Sequence, residues 1–384
     1  MNTFLKENKQ ALIISGLTAL ITGLVSLIFE QINAVFLFAV FALVFICILF
    51  YRKILTGLDS GKRKGVITFS FLCLLLTTFA IWDNLLGLRA SQFFISESDV
   101  KTLICGNHWI TYDPLSYDPY QSPNPNIAAM DTELVWIRNA GFDGIITFTS
   151  RGNFSNIPEL AKKHNLRVIM GIWDPNDINE ITLAISKRNF IDAYVIGHNG
   201  LYNPIAGNLA PYTKDDLTRT IRYVRFKTKR PVSTTEMIKQ YLENPFLYSI
   251  GDWVFPDAHI NIKSDMSANY VDESIKNTLE MAALISEQEN RGEKPILLKM
   301  VTFPHNGFTG ATYTLQAEFY KLLLDSKRDT VTDMSSDICV SVHSAFDTGW
   351  KKDYPFYDWD IYTGLISNSG IPSPATFEIT KRQP

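Results

Sequence analysis

Tryptophan, histidine, asparagine and acidic residues recur at one kind of place in this sequence, within or just after short β-rich runs. LICG at 103–106 is followed by Asn107, His108 and Trp109; RVIMGIW at 167–173 ends in Trp173 and leads to Asp174; AYVIG at 193–197 leads to His198 and Asn199. PVSTT at 231–235 leads to Glu236, and DWVFPDAH at 252–259 carries Trp253, Asp257 and His259. PILLKMV at 295–301 leads to His305 and Asn306, and ICVSVH at 338–343 ends in His343 and leads to Asp347 and Trp350. Flat indole faces stack on the apolar faces of sugar rings, while Asn, Asp and His exchange hydrogen bonds with the hydroxyls. Five of the seven tryptophans, namely Trp109, Trp173, Trp253, Trp350 and Trp359, fall in or near these segments. A carbohydrate cleft suits the group better than aromatics that merely fill a rim. His198, His259, His305 and His343 could also converge on a metal. No HxH or HxxE pair supports that, so neither a metal nor a cofactor is expected.

Something must bring these residues together. With GIITFT at 144–149 the β-rich runs number eight, and amphipathic stretches lie between them: 127–140, 157–164, 215–226, 273–289 and 315–324. Strand and helix alternating eight times over residues 101–384 predict an α/β fold, a (β/α)8 TIM barrel, whose usual size is roughly 250 residues. Ligands then bind at the C-terminal ends of the strands, where the residues above are expected. An open doubly wound sheet would show a glycine-rich phosphate loop; no GxGxxG or GxxxxGK[ST] occurs, which argues against nucleotide binding, and no nucleic-acid partner is expected.

The N-terminal part has a different composition. The chain has 384 residues and a formal net charge of −3, with a mean hydropathy near zero, but its longest apolar runs lie at 11–29, 34–50 and 66–82, each free of charge. Each is close to the length of a bilayer core, so residues 1–87 are expected to form a membrane domain with three transmembrane helices, and a cleaved signal peptide would explain only the first. Lys6 and Lys9 precede the first run, and Arg52, Lys53, Lys62, Arg63 and Lys64 crowd the loop before the third. The positive-inside rule puts both segments in the cytoplasm. Residues 88–100 then read as a linker, and 101–384 as an extracytoplasmic or periplasmic domain of a multi-pass membrane protein. Cys47 and Cys73 lie within the runs. Cys105 and Cys339 fall at the first and last expected strands; a bridge between them in an oxidising compartment and, more plainly, two buried free thiols both fit.

Seven blocks are specific enough to compare: IRNAGFDGIITF at 137–148, IPELAKKHNLRVIMGIWDP at 157–175, DAYVIGHNGL at 192–201, RPVSTTE at 230–236, GDWVFPDAH at 251–259, LLKMVTFPHNGFTGA at 297–311 and SAFDTGWK at 344–351. In this order they resemble bacterial members of glycoside hydrolase family 17, β-1,3-glucanase and glucanosyltransferase relatives. The resemblance implies the same barrel and a β-glucan or related neutral polysaccharide as ligand. It also implies two glutamates, an acid/base in a motif like VGNEGL and a nucleophile in a motif like LLKE. The matching stretches here are IGHNGL, with Asn199 at the first position, and LLKM, with Met300 at the second. An amide has no titratable proton near neutral pH, and a thioether cannot form a glycosyl ester.

Both lost acids sit in flanks that match, so a binding protein without ordinary hydrolysis is expected, acting beside a membrane polysaccharide synthase or exporter. Its expected ligand contacts are Asn107, Trp109, Trp173, His198, Asn199, Glu236, Trp253, Asp257, His259, His343, Asp347 and Trp350. Two alternatives remain. One is a hydrolase or glucanosyltransferase using Glu236 and Asp257 with His198 as proton donor; the other is a membrane-complex subunit whose barrel serves as an interaction scaffold.

Overall fold

The β-rich runs pair side by side as parallel strands, and the amphipathic stretches return the chain along the outside. The computed structural model describes residues 95–201, 212–258, 268–288, 292–330, 338–353 and 358–381. The three apolar runs, the first part of the linker and His259 lie outside these residues. Among the described residues no helix is long and apolar enough to cross a membrane.

Seven strands form one parallel sheet: β1 (Trp109–Thr111), β2 (Gly144–Ile146), β3 (Arg167–Ile172), β4 (Ala193–Ile196), β5 (Val232–Thr234), β6 (Ile296–Val301) and β7 (Ile338–Val342), in the order β5-β4-β3-β2-β1-β7-β6. The eighth run closes the ring through single parallel bridges. Val254 pairs with Ile296, and Asp257 pairs with Met237 on one side and Lys299 on the other. The amide of Asp252 donates to Val232 O at 2.9 Å, and that of Val254 to Pro295 O at 2.9 Å. The curled parallel sheet is that of a TIM-barrel-like fold.

One expected strand is a helix. LICG ends α1 (Glu97–Cys105), and the strand begins only at Trp109. Ser96 caps α1 by accepting from the Asp99 amide at 3.1 Å, Glu97 and Asp99 complement the helix dipole, and Val100 and Ile104 bury one face at helical spacing. Residues 97–100, expected as linker, belong to it. Among the described residues the other α-helices are α2 (Ile127–Asn139), α3 (Ile157–Lys163), α4 (Ile178–Ser186), α5 (Lys214–Thr228), α6 (Ile238–Glu243), α7 (Phe246–Ile250), α8 (Ala268–Ser286), α9 (Tyr313–Thr330) and α10 (Pro374–Thr380). The five expected amphipathic stretches correspond to α2, α3, α5, α8 and α9.

Alternation along the strands makes two cores. Ile110, Ile145, Val168, Tyr194, Val232, Leu298 and Val342 belong to the outer core shared with the helices. Trp109, Ile146, Ile169, Val195, Trp253, Phe255, Leu297 and Cys339 form the inner one, together with Val100 and Ile104 of α1. Helix α1 therefore closes the N-terminal end of the barrel. A disulfide joins its last residue, Cys105, to Cys339 in β7, with Cα atoms 5.4 Å apart, so the free-thiol reading is set aside. Gly144 is required where it stands, because any Cβ there would overlap the Trp109 ring.

Candidate functional site

At the opposite end, the same alternation turns inward Thr111, the last residue of β1, Lys299 near the end of β6, His343 just after β7, and Asp257 in the ring-closing segment. All four are buried. Thr111 Oγ1 and His343 Nδ1 are 2.5 Å apart, tying β1 to β7. Lys299 Nζ lies 3.8 Å from Asp257 Oδ2 and 2.5 Å from His198 Nδ1. The ammonium donates there, which leaves the imidazole proton on Nε2. Asn199 Nδ2 donates to the same Asp257 Oδ2 at 3.0 Å. Glu236 accepts from the Leu201 amide at 3.0 Å and from the Tyr212 hydroxyl at 3.1 Å. The floor is thus a bonded polar layer across three parts of the barrel.

Asn199 and Met300 share a backbone feature. Asn199 has φ 52° and Met300 φ 57°, the left-handed region that side chains other than glycine seldom adopt. Met300 is the extra residue of a bulge in β6: Leu298 pairs with Val340 and Val301 with Val342, a register shift of one. Without it Lys299 and Val301 would face the same side. Bulges of this kind re-aim a side chain at the rim of a barrel, and strained backbone gathers at ligand sites.

Above the floor, Trp173 stacks on His198, with centroids 4.9 Å apart and planes 27° apart, and Phe148 meets His198 edge-on at 5.5 Å. Trp350 meets Tyr117 at 6.2 Å. Asp347 holds His305 Nε2 at 3.1 Å, and His305 stacks on Tyr313 at 4.0 Å.

Several expected contacts lie elsewhere. Because β1 starts at Trp109, the residues Asn107 and His108 precede it at the closed end; Asn107 donates to Leu103 O at 2.7 Å, finishing α1. Trp109 and Trp253 are 1% exposed and pack in the inner core, and Trp359 is buried as well. Trp109, Trp253 and Asn107 are therefore corrected from cleft contacts to core and base residues. The structure brings together Trp173, His198, Asn199, Asp257 and Met300 near Lys299, with Glu236 and His343 in the adjoining layer.

Two participants escaped the sequence reading. Lys299 is a lone charge in an apolar run, a signal of a paired buried lysine. Asp113 stands two residues beyond Thr111, and with β1 placed too early its position at the mouth was not apparent. Burial pushes the Asp113 carboxyl up to about 6, with Lys351 opposing, Asp360 adding and Lys299 opposing. Burial also lowers Lys299 to about 8, against the pull of Asp257, Glu236 and Asp113. Lys351 and Asp360 form a buried pair at 3.0 Å.

These shifts predict how stability follows pH. The native state holds the Asp113 proton more tightly than the unfolded chain, so stability falls as pH rises from the ordinary value of 3.8 to about 6. For Lys299 the unfolded chain binds more protons between about 8 and 10.5, so stability rises across that window. Urea midpoints measured against pH should lose the first slope in Asp113→Asn and the second in Lys299→Met. Unchanged slopes in either variant would refute the corresponding assignment.

Among the described residues no three His, Cys, Asp or Glu are grouped to hold a metal ion.

No family model matches the sequence, and no curated protein is similar enough to be matched. Solved structures are. A glycoside hydrolase family 17 β-1,3-glucanosyltransferase from Rhizomucor miehei is similar with a TM-score of 0.50 at 15% identity, over 70% of this chain and 96% of that one. A GH5_18 protein from Bifidobacterium longum subsp. longum gives 0.55 at 13% identity, over 72% and 78%. A GH5_18 protein from Streptomyces cattleya gives 0.51 at 11%, over 72% and 80%. At these identities the likeness is one of fold: the domain has the TIM-barrel-like architecture of glycoside hydrolases.

Proposed function

We propose that this protein is a membrane-anchored β-glucan-binding protein, related to glycoside hydrolase family 17 but without ordinary hydrolysis, acting in extracytoplasmic polysaccharide synthesis, export or processing. One observation carries the reading: the two positions where the resemblance expects catalytic glutamates hold Asn199 and Met300, both in left-handed backbone at the mouth. A retaining glycosidase needs two carboxyl groups roughly 5 Å apart. Here one position is an amide already bonded to Asp257, and the other is a thioether.

The glycoside hydrolase fold supports carbohydrate binding or processing, and the stack of Trp173 on His198 offers an aromatic face with polar groups beneath it. The name of the Rhizomucor miehei protein, a β-1,3-glucanosyltransferase, agrees with the ligand class implied by the seven sequence blocks. The Cys105–Cys339 bridge suits an oxidising compartment and hence the extracytoplasmic side. The three apolar runs supply the anchor, and a membrane synthase or exporter is the partner such an anchor would serve.

The test is binding of β-1,3-linked glucose oligomers to the full-length protein, read together with reducing-end release. Binding without release is expected, and Trp173→Ala should weaken it by about tenfold or more, the loss of one stacking face. Release of reducing ends by the unaltered protein would favour the second reading, in which Glu236 and Asp257 act with His198 as proton donor; Lys299 stands beside both Asp257 and His198. In that case Glu236→Gln must abolish turnover.

A further inference from the structure

Trp173 follows β3 directly, in a loop whose amides have no strand partner, yet its ring must hold a fixed angle to His198. The group that holds it comes from outside the mouth. Glu180 lies on the first turn of α4, is 0% exposed, and sends its carboxylate up between the exits of β2 and β3. Its Oε1 accepts from Thr149 Oγ1 at 2.5 Å, the Ser150 amide at 3.2 Å and the Trp173 amide at 2.9 Å. Its Oε2 accepts from the Asp174 amide at 3.1 Å and lies 3.3 Å from Arg151 Nε.

A glutamate at the third position of a helix ordinarily turns back to bond the amide of the capping residue. Here the cap is Asp177, whose carboxylate takes the amides of Asn179 and Glu180. The Asp177 amide donates instead to Asp174 O at 3.1 Å. Glu180 is thereby released to serve the strand exits. Arg151 also pairs with Asp177 at 3.0 Å, so the carboxylate is locked on both sides.

We infer that Glu180 is the positioning residue of the sugar-stacking face: it fixes the Trp173 backbone against His198 and so sets affinity for the glucan without touching it. This rests on the reading of Trp173 as a ligand platform. Five donors converge on its two oxygens, and only a carboxylate accepts on both. Glutamine must turn an NH2 group toward one set of donors, so the exchange of a single atom releases either the Thr149–Ser150–Trp173 side or the Asp174–Arg151 side.

The experiment titrates full-length protein with a β-1,3-linked glucose pentamer and follows both affinity and the change in tryptophan emission that disappears in Trp173→Phe. Glu180→Gln is expected to lower affinity by about tenfold or more and to abolish that emission change, and Glu180→Asp to restore part of both. If Trp173→Ala weakens binding while Glu180→Gln binds and emits like the unaltered protein, the role of Glu180 is overturned and the platform stands. If Trp173→Ala binds normally, the platform itself is wrong and this inference goes with it. Should Glu180→Gln fail to fold, amide exchange in the unaltered protein decides: protection of the Trp173 and Asp174 amides by about a hundredfold is expected, and exchange at the rate of a free loop contradicts the assignment.

Discussion

Placing glutamates at both 199 and 300 is expected to give the protein the ability to release reducing ends from β-1,3-linked glucose oligomers, whereas either glutamate alone is expected to give none. Retaining chemistry needs a proton donor and a nucleophile acting in turn, so one carboxyl without the other completes no cycle. The surroundings suit the restored pair. Asn199 Nδ2 lies 3.0 Å from Asp257 Oδ2, and a glutamate there would face that carboxylate, which raises its pKa and keeps the proton a general acid must give. Met300 is 9% exposed at a bulge, a setting in which a new carboxylate is poorly hydrated and the adjacent residue of the strand is the cationic Lys299.

General acid catalysis alone contributes roughly 10²- to 10⁴-fold, so the double variant should rise well clear of background when glucose oligomers are followed by reducing-end assay. Two results would count against the reading. The unaltered protein could already cleave as fast as the double variant, in which case other carboxyl groups do the work. Alternatively, the double variant could bind the oligomer tightly and still leave it intact, in which case positions 199 and 300 do not face the scissile bond.

How much of this could be read before the structure depends on which physical signal each residue carries. Seven of the eight β-rich runs became strands or ring-closing bridges, because buried parallel strands need continuous apolar stretches and such stretches are visible. LICG misled because a four-residue apolar run has no periodicity to distinguish strand from helix. The decisive residues were upstream, in the cap at Ser96 and the spacing of Val100 and Ile104.

That one shift moved Asn107 and Trp109 from the mouth to the base and hid Asp113. Trp253 was misplaced for a different reason: tryptophan fills a barrel as readily as it stacks a sugar, and only the alternation with Val254, which faces the helices, shows that it points inward. The positions of Asn199, Trp173, Asp257 and His198 were legible because each lies in, ends or follows a correctly placed run. Glu180 was not, since three of its five partners are backbone amides, which leave no trace in sequence, and the Thr149 hydroxyl and Arg151 guanidinium reach it only once β2 and α4 are packed side by side.

Loss of the disulfide is expected to have the largest effect on stability while leaving the mouth intact. Cys105 and Cys339 are 234 residues apart in sequence, so the bond closes a loop that contains nearly the whole barrel. On the chain-entropy view, loops of that size are stabilised by about 5 kcal/mol, and measured values for disulfides are typically about 2–4 kcal/mol. The bond also holds α1 in place, and with it the contact of Val100 and Ile104 on the inner core. Replacing both cysteines with alanine should therefore lower stability by about 3–5 kcal/mol, a fall of roughly 10 °C in melting temperature for a domain of this size. Calorimetry with and without reductant should show the same fall in the unaltered protein and none in the double variant. Well below the transition, affinity for glucose oligomers should not change, because the base of a barrel supports the fold while its C-terminal face meets the ligand. An unaltered protein that melts at one temperature in both buffers would show that α1 is held by packing alone. A loss of affinity at a temperature where the fold persists would show instead that the two ends of the barrel are coupled.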